Sequence, residues 1–122
     1  MVFVEVDERG DPIRILKNAK FAAQLPVESV QEVPRAYAVG HIRRIVFGRA
    51  GCTPHQAGQC EDCGASIIWT AGNWKSGEMH EKVFRSLGGE ISVENCVALC
   101  RKCHHQKAHN KVWHSAKVKE SD

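Results

Sequence analysis

The stretches that decide the fold of this chain are Cys60-Glu-Asp-Cys63-Gly64 and Cys100-Arg-Lys-Cys103-His104. Each contains a CxxC turn, which presents two thiolates to one metal ion, and zinc prefers four such soft ligands in a tetrahedron. The two turns together predict one structural zinc, held by Cys60, Cys63, Cys100 and Cys103. An iron centre would accept the same four thiolates, and two reduced or redox-active pairs are a further alternative.

The two other cysteines fall outside this set. Cys96 opens the apolar run Cys96-Val-Ala-Leu before the second turn, which is typical of a small hydrophobic residue in the core. Cys52 and His55 have the spacing of metal ligands, but the four cysteines of the turns already complete one site. We therefore predict that Cys52 and His55 lie in a loop.

The composition indicates one small soluble domain. Of the 122 residues, 43% are hydrophobic and 25% are charged, and a core of this size gains from a metal as an additional restraint. No apolar run approaches the roughly 18 residues of a membrane span. The early acidic residues Glu5, Asp7 and Glu8 are unlike a secretory leader. We therefore expect a cytoplasmic location, where paired cysteines bind metals more often than they form disulfides.

The pattern of apolar residues predicts a mixed α+β chain. Val2 to Val6 alternates apolar and acidic side chains, as a half-buried strand does. A return strand at 13–15 would complete an N-terminal hairpin. A helix is predicted at 36–47, where Ile42, Ile45 and Val46 form an apolar stripe. Further predictions are strands at 65–70, 78–83 and 91–93, a loop at 73–77 and a helix at 102–115. The predicted division is an N-terminal extension (1–35), a metal-binding domain (36–115) and a polar tail (116–122).

The separation of the two CxxC turns is the next informative feature. A typical zinc ribbon separates its pairs by roughly 15–20 residues, and the interval from Cys63 to Cys100 is much longer. It therefore holds an insert, in which a hairpin near 78–93 would face the helix that begins around the second turn. Imidazole, carboxylate and amide groups fall at the ends of these elements, at His80, Glu81, Asn95 and His104. Imidazole and carboxylate are usual ligands of a catalytic divalent ion, and such an ion suits phosphodiester hydrolysis.

The residues from Glu78-Met-His80-Glu81, through Gly88-Gly89, to Asn95 and Cys100-Arg-Lys-Cys103-His104 resemble the HNH endonucleases. The form that they resemble contains a zinc ribbon and is common in phages, and the resemblance covers about residues 40–110. It implies a ββα-metal core (the HNH or His-Me finger), an HNH nuclease domain within 36–115, and nicking or cleavage of DNA. It further implies a catalytic Mg²⁺ or Mn²⁺, a phage-encoded protein acting in the host cytoplasm, and phage packaging proteins among the candidate partners. We also expect the protein to be a monomer.

The resemblance also implies roles for single residues. Asn95 matches the motif asparagine, which braces a loop and orients the catalytic residue, and His104 matches the final histidine, a ligand of the catalytic metal. The first motif element departs from the usual pair of a ligand followed by a base. In the favoured register, meaning the favoured alignment of the family motif with this sequence, His80 is the metal ligand and Glu81 the general base. In the other register His80 is the base and Glu78 assists as ligand, since alternate residues of a strand share a face.

Basic residues provide candidate phosphate contacts. The net charge is only +3, but Arg and Lys are concentrated after residue 100, and a basic helix attracts nucleic acid. The candidate nucleic-acid-binding residues are Arg43, Arg44, Arg85, Lys102 and Lys107. The alternative functions are a non-catalytic zinc module that binds nucleic acid, which has no use for His80, Asn95 and His104 together, and a redox metal protein.

Overall fold

The computed structural model describes residues 1–70 and 73–108, without the side chains of residues 70, 73, 74 and 106–108. Within that part, strands and helices are mixed along the chain, and the predicted α+β class is confirmed. The elements are β1 (Val2–Val6), β2 (Pro12–Ile15), α1 (Ala19–Ala22), β3 (Val30–Val33), α2 (Arg35–Arg49), β4 (Gly58–Gln59), β5 (Ser66–Thr70), β6 (Asn73–Lys75), β7 (Gly77–Glu81), β8 (Cys96–Cys100) and α3 (Arg101–Ala108). Short 3₁₀ turns lie at Val27–Ser29 and Arg85–Leu87. The predicted tail, and the predicted helix beyond residue 108, lie outside the described residues.

The N-terminal sheet has the strand order β2-β1-β3. β1 pairs antiparallel with both neighbours, with Val4 opposite Ile15 in β2 and Val2 opposite Val33 in β3. The alternation in β1 buries Val4 and Val6, as the sequence pattern predicts. β3 is absent from the prediction. Its middle residues, Gln31 and Glu32, are exposed, so no apolar run marks this strand in the sequence.

Helix α2 joins the N-terminal sheet to the rest of the chain. Its buried residues Ala38, Ile42 and Val46 recur every four positions and pack against β2 and β8. It extends slightly beyond the predicted range, from Arg35 after Pro34 to Arg49. α2 has 15 residues, and no helix in the described part of the chain is long and apolar enough to span a membrane.

The first CxxC turn lies between β4 and β5, in a sheet of order β4-β5-β6. Because β6 pairs with β5, placing Lys75 opposite Ile68, the prediction of a loop at 73–77 was wrong. β6 has only three residues, too few for an alternating pattern to be recognised. Cys52 and His55 lie in the loop between α2 and β4. Cys52 is buried, with its Sγ 3.5 Å from the Ile67 carbonyl oxygen.

β7, β8 and α3 form a ββα unit. β7 pairs antiparallel with β8, and α3 follows β8 directly, beginning at Arg101. The prediction that the return strand lies at 91–93 was therefore wrong. That segment instead bonds to β2, since Ile15 N donates to Ile91 O at 2.8 Å and Val93 N donates to Ile13 O at 2.9 Å. All five residues of β8 are buried, so the sequence of this strand is a continuous apolar run in which apolar and polar residues do not alternate.

β7 passes close to the core at its first residue, Gly77. A Cβ added to Gly77 would lie 2.9 Å from Phe47 Cε2 and 3.1 Å from Ile67 Cβ. Phe47 and Ile67 are fully buried, so neither side chain has open space to move into. The absence of a side chain at Gly77 therefore fixes how deeply β7 sits, and with it the position of the next residue, Glu78.

Candidate active site and metal centre

The four cysteines of the two CxxC turns (Cys60, Cys63, Cys100 and Cys103) come together in what we name the cysteine cluster. Their Sγ atoms all lie within 4.8 Å of one another, and Cys63 Sγ lies 3.7 Å from Cys100 Sγ. A tetrahedron with Zn–S bonds of about 2.3 Å has S–S edges of about 3.8 Å. The cluster therefore fits a zinc ion in both donor chemistry and spacing.

Backbone N–H groups surround the sulfur atoms of the cysteine cluster. Asp62 N and Cys63 N lie 3.4 and 3.5 Å from Cys60 Sγ, and Cys103 N lies 3.5 Å from Cys100 Sγ. Gly64 has φ 81°, a conformation that favours glycine and closes the first turn. Such donors stabilise negative charge on sulfur, so the turns suit bound thiolates.

The pKa values of two thiols in the cysteine cluster move in opposite directions. Burial opposes ionisation of Cys60, but backbone N–H groups outweigh it and lower the pKa of this thiol to about 7. Burial and the neighbouring thiols raise the pKa of Cys103. A positive ion at the site would favour the thiolate form of Cys103. Metal binding must therefore release protons, and metal affinity falls as the pH falls.

An ion pair that the sequence analysis missed ties the first CxxC turn to α2 and β8. Arg49 lies 3.0 Å from both Glu61 carboxylate oxygens. The same guanidinium donates to the carbonyls of Val93 at 2.9 Å and Cys96 at 2.7 Å. Glu61 also accepts from Ala98 N at 2.8 Å, while its own N–H donates to Ala98 O at 2.8 Å. Glu61 is inside the CxxC turn and Arg49 in the last turn of α2, and only the fold reveals that they are partners.

The structure brings His80 and His104 together. Their ring centroids are 5.2 Å apart with the planes at 79°. His80 is in β7 and only 4% exposed, whereas His104 is in the second turn of α3, directly after Cys103. Glu78 contacts His104, since its Oε1 lies 3.3 Å from His104 Nδ1. Glu78 and His80 are two positions apart in β7 and so share one face of the strand. We name Glu78, His80 and His104 the histidine cleft.

The structure does not bring Glu81 into contact with this group. Glu81 is on the other face of β7 by alternation, opposite Cys96 in the ladder. Its Oε1 lies 3.8 Å from Arg85 Nε, and its side chain is 25% exposed. In the described part of the chain, the cysteine cluster is the only group of three or more His, Cys, Asp or Glu side chains that converges within 4.8 Å. The ligand atoms of Glu78, His80 and His104 therefore do not all lie within 4.8 Å of one another.

Asn95 closes the loop between β7 and β8 with three side-chain hydrogen bonds. Its Oδ1 accepts from Val83 N at 3.0 Å, and its Nδ2 donates to Val83 O at 3.0 Å and to Glu90 O at 2.7 Å. Its backbone carbonyl accepts from Lys82 N at 2.7 Å. Both ends of the 82–90 segment are thereby held beside the end of β7.

The predicted phosphate contacts lie on different parts of the surface. Arg43 and Arg44 line a groove of about 600 Å³ beside Trp69. Arg85 lines a separate groove of about 390 Å³, next to the N-terminal sheet. Lys102 is exposed in the first turn of α3, and the side chain of Lys107 lies outside the described part of the chain.

A β-hairpin followed directly by a helix, with histidines on both and four cysteines grouped beside them, fits the class of ββα-metal domains. Comparison with known families identifies the segment further. Residues 60–111 match the family model described as HNH endonuclease, so this segment is similar to an HNH domain, a family that suggests nuclease activity. The match contains the cysteine cluster, the histidine cleft and Asn95, and leaves residues 1–59 outside it. No curated protein and no solved structure matches the chain.

Proposed function

We propose that the chain is a metal-dependent DNA endonuclease, which hydrolyses phosphodiester bonds by nicking or by cutting both strands. The match of residues 60–111 to the HNH endonucleases supports nuclease chemistry. The observation that carries the proposal is that Glu78 and His80 of β7 both lie beside His104 of α3. Imidazole and carboxylate are the donors that a divalent ion takes in an open catalytic site.

In this proposal His80 and His104 hold a Mg²⁺- or Mn²⁺-like ion, and Glu78 adds a carboxylate to the set. Such an ion, when bound, stabilises the charge on the phosphate and on the leaving oxygen. The cysteine cluster holds a structural zinc that fixes the start of α3, and thereby His104. Asn95 acts as a positioning residue, because it holds the loop that follows His80.

The sequence motif leaves two assignments of the general base, and they differ in which carboxylate is essential. If His80 holds the ion, Glu81 takes the proton of the attacking water, as an ionised carboxylate can at neutral pH. If His80 takes the proton, Glu78 and His104 hold the ion. The contact of Glu78 with His104, and the position of Glu81 on the other face of β7, support the second assignment.

Incubation of the zinc-loaded protein with supercoiled plasmid tests the proposal. We expect nicking that requires added Mg²⁺ or Mn²⁺ and that falls by about 10²–10⁴-fold in His80→Ala. The matched control is His55→Ala, because His55 is exposed in a loop. Omission of the divalent ion is a better blank than EDTA, which would also remove zinc. The absence of nicking with every ion tried would refute the enzyme.

Two carboxylate variants separate the assignments of the base. Glu81→Gln abolishes nicking if Glu81 is the base and leaves it near normal if His80 is. Glu78→Gln weakens activation by Mn²⁺ in both cases, and much more strongly in the second, where Glu78 is one of only two protein ligands. Equal activity of both variants and the wild type would remove both assignments.

A non-catalytic zinc module that binds nucleic acid is the competing function. It needs the cysteine cluster and basic residues such as Arg43, Arg44, Arg85, Lys102 and Lys107, which we propose as phosphate contacts. DNA binding without nicking, unchanged in His80→Ala and His104→Ala, would favour it. The phage-type form of the family, the packaging proteins as partners, the monomeric state and the cytoplasmic location stay predictions from the sequence.

A further inference from the structure

The groove that contains Arg85 brings together basic side chains from distant parts of the chain. Lys17 follows the N-terminal hairpin, Arg35 begins α2, and Arg85 lies in the loop after β7. All three line the groove of about 390 Å³ between the N-terminal sheet and residues 89–91. All three are exposed. Lys17 and Arg35 lie outside the segment that matches the HNH family.

The charge of this groove is unbalanced. Its one acidic lining residue is Glu90, and Glu90 already has a partner, since Arg14 Nη1 lies 3.5 Å from its Oε1. Arg85 is only 3.8 Å from Glu81, but its side chain remains 60% exposed. Lys17 Nζ lies 5.7 Å from the centre of the Phe21 ring and would be 4.0 Å from a Cβ at Gly88. The amine of Lys17 is therefore held near the 82–90 loop.

Apolar side chains form the rest of the lining. Ile15, Leu16 and Ile91 are each at most 8% exposed, and Val2 is half-buried. Cations above an apolar floor match a sugar–phosphate backbone, in which anionic phosphates alternate with apolar sugar faces. Positive side chains on the phosphates also supply most of the affinity of a protein for DNA, whatever its sequence.

We propose that the N-terminal segment is part of the DNA-binding surface, and that Lys17 and Arg35 contact phosphates of the substrate together with Arg85. This inference rests on the proposed function, because it assumes a DNA substrate. It gives residues 1–35 a role beyond covering the core, since they complete a groove whose other wall is the loop next to His80. The bound DNA would extend past the histidine cleft onto the N-terminal sheet.

The salt dependence of DNA binding tests this inference. The zinc-loaded His80→Ala protein is titrated against a labelled DNA duplex by fluorescence anisotropy, without added Mg²⁺ or Mn²⁺ so that the duplex is not cut. Each phosphate contact contributes about −0.9 to the slope of log K against log salt concentration. In Lys17→Gln/Arg35→Gln we expect the slope to become shallower by about 1.8. Between about 50 and 200 mM salt, that variant should lose about 12-fold less affinity than its parent.

The matched control is Arg9→Gln/Lys20→Gln, which removes the same charge from exposed N-terminal positions outside the groove. Its slope should equal that of the parent. Zinc content and thermal unfolding show that both pairs of variants are folded. Equal slopes for the two pairs would overturn the inference and leave the nuclease proposal intact. A shallower slope for the groove pair alone upholds it, even if the wild-type protein never nicks DNA. Absence of DNA binding by the parent would overturn both proposals.

Discussion

The cysteine cluster and the histidine cleft lie beside each other at the start of α3, yet they are built differently. The four thiols converge within 4.8 Å, and backbone N–H groups surround their sulfur atoms. Glu61, inside the first CxxC turn, is bonded to both α2 and β8. The cleft has one close polar contact between its members, the 3.3 Å approach of Glu78 to His104, and Glu78 is 46% exposed.

This difference indicates how the two sites divide their work. A structural metal site gains from ligands that are fixed on every side, whereas a catalytic site must leave positions open for water and substrate. The cysteine cluster should therefore determine whether the chain folds, and the histidine cleft whether the folded chain reacts. Mutations in the two sites should then separate stability from activity.

Loss of a cysteine ligand should have the largest effect on stability. Structural zinc contributes about 10–16 kcal/mol to the folding of zinc-finger peptides, which is comparable with the whole stability of a small domain. We expect Cys100→Ser to lose zinc and cooperative thermal unfolding. The control is Cys52→Ala, a buried cysteine outside the cluster, which should keep zinc and cost on the order of 1 kcal/mol. One tightly held zinc per chain in Cys100→Ser would show that the cluster is not the structural centre.

Truncation of Asn95 should have the next largest effect. Asn95→Ala removes three hydrogen bonds that close the 82–90 loop, and at about 1 kcal/mol each the cost is about 2–3 kcal/mol. Denaturant unfolding gives this cost, and hydrogen exchange at Val83 N–H reports the opening of the loop. Asn95→Asp keeps the acceptor for Val83 N but places a carboxylate oxygen against the carbonyls of Val83 and Glu90, so it should be at least as destabilising as Asn95→Ala. If Asn95→Ala leaves the exchange of Val83 unchanged, Asn95 does not hold the loop.

The pair of Arg49 and Glu61 should contribute less. Arg49→Lys loses the bidentate hydrogen bonding to Glu61. We expect the free energy of unfolding to fall by about 1–2 kcal/mol, since Arg49 is 40% exposed and its charge is partly screened. A double-mutant cycle with Glu61→Gln measures the coupling free energy. Arg44→Lys, on the exposed face of the same helix, should change stability very little. Additive effects in the cycle would mean that the pair does not link the first CxxC turn to α2.

The smallest effect on stability should come from the cleft. Glu78→Gln alters an exposed pair and should change the free energy of unfolding by less than about 0.5 kcal/mol, with zinc retained. Its nicking activity should nevertheless fall by about 10–100-fold. Glu94→Gln, an exposed glutamate in the same loop as Asn95, serves as the control. A loss of stability in Glu78→Gln equal to that in Cys100→Ser would erase the distinction between the two sites.

The sequence predicted the parts of the molecule that have a short repeating or spaced pattern. The CxxC spacing predicted the cysteine cluster, and the alternation in β1 and the stripe on α2 predicted those elements. β8 was missed because its two buried faces remove the alternation, so the return strand was placed at 91–93 instead of Cys96–Cys100. β3 was missed for the opposite reason, because its centre is polar and exposed.

For the candidate site, the sequence predicted the meeting of His80 with His104 but not all the contacts around them. The partner of His104 is Glu78, which the favoured register did not use. Arg49 and Glu61 are joined by the packing of α2 against β8, and no spacing rule links the two positions. Contacts of this kind depend on how elements pack, which a single sequence does not encode in any local pattern.

Gly77 has a consequence for how mutational data on this protein should be understood. A side chain at this position would meet Phe47 and Ile67 and displace the strand that carries Glu78 and His80. In a scan of every position scored by nicking, Gly77 should therefore rank with the proposed metal ligands, although it has no side chain to offer. Glu78 and Gly77 would give the same score in that screen, and only a parallel measurement of protein abundance would distinguish the proposed metal-binding carboxylate from the glycine that positions it.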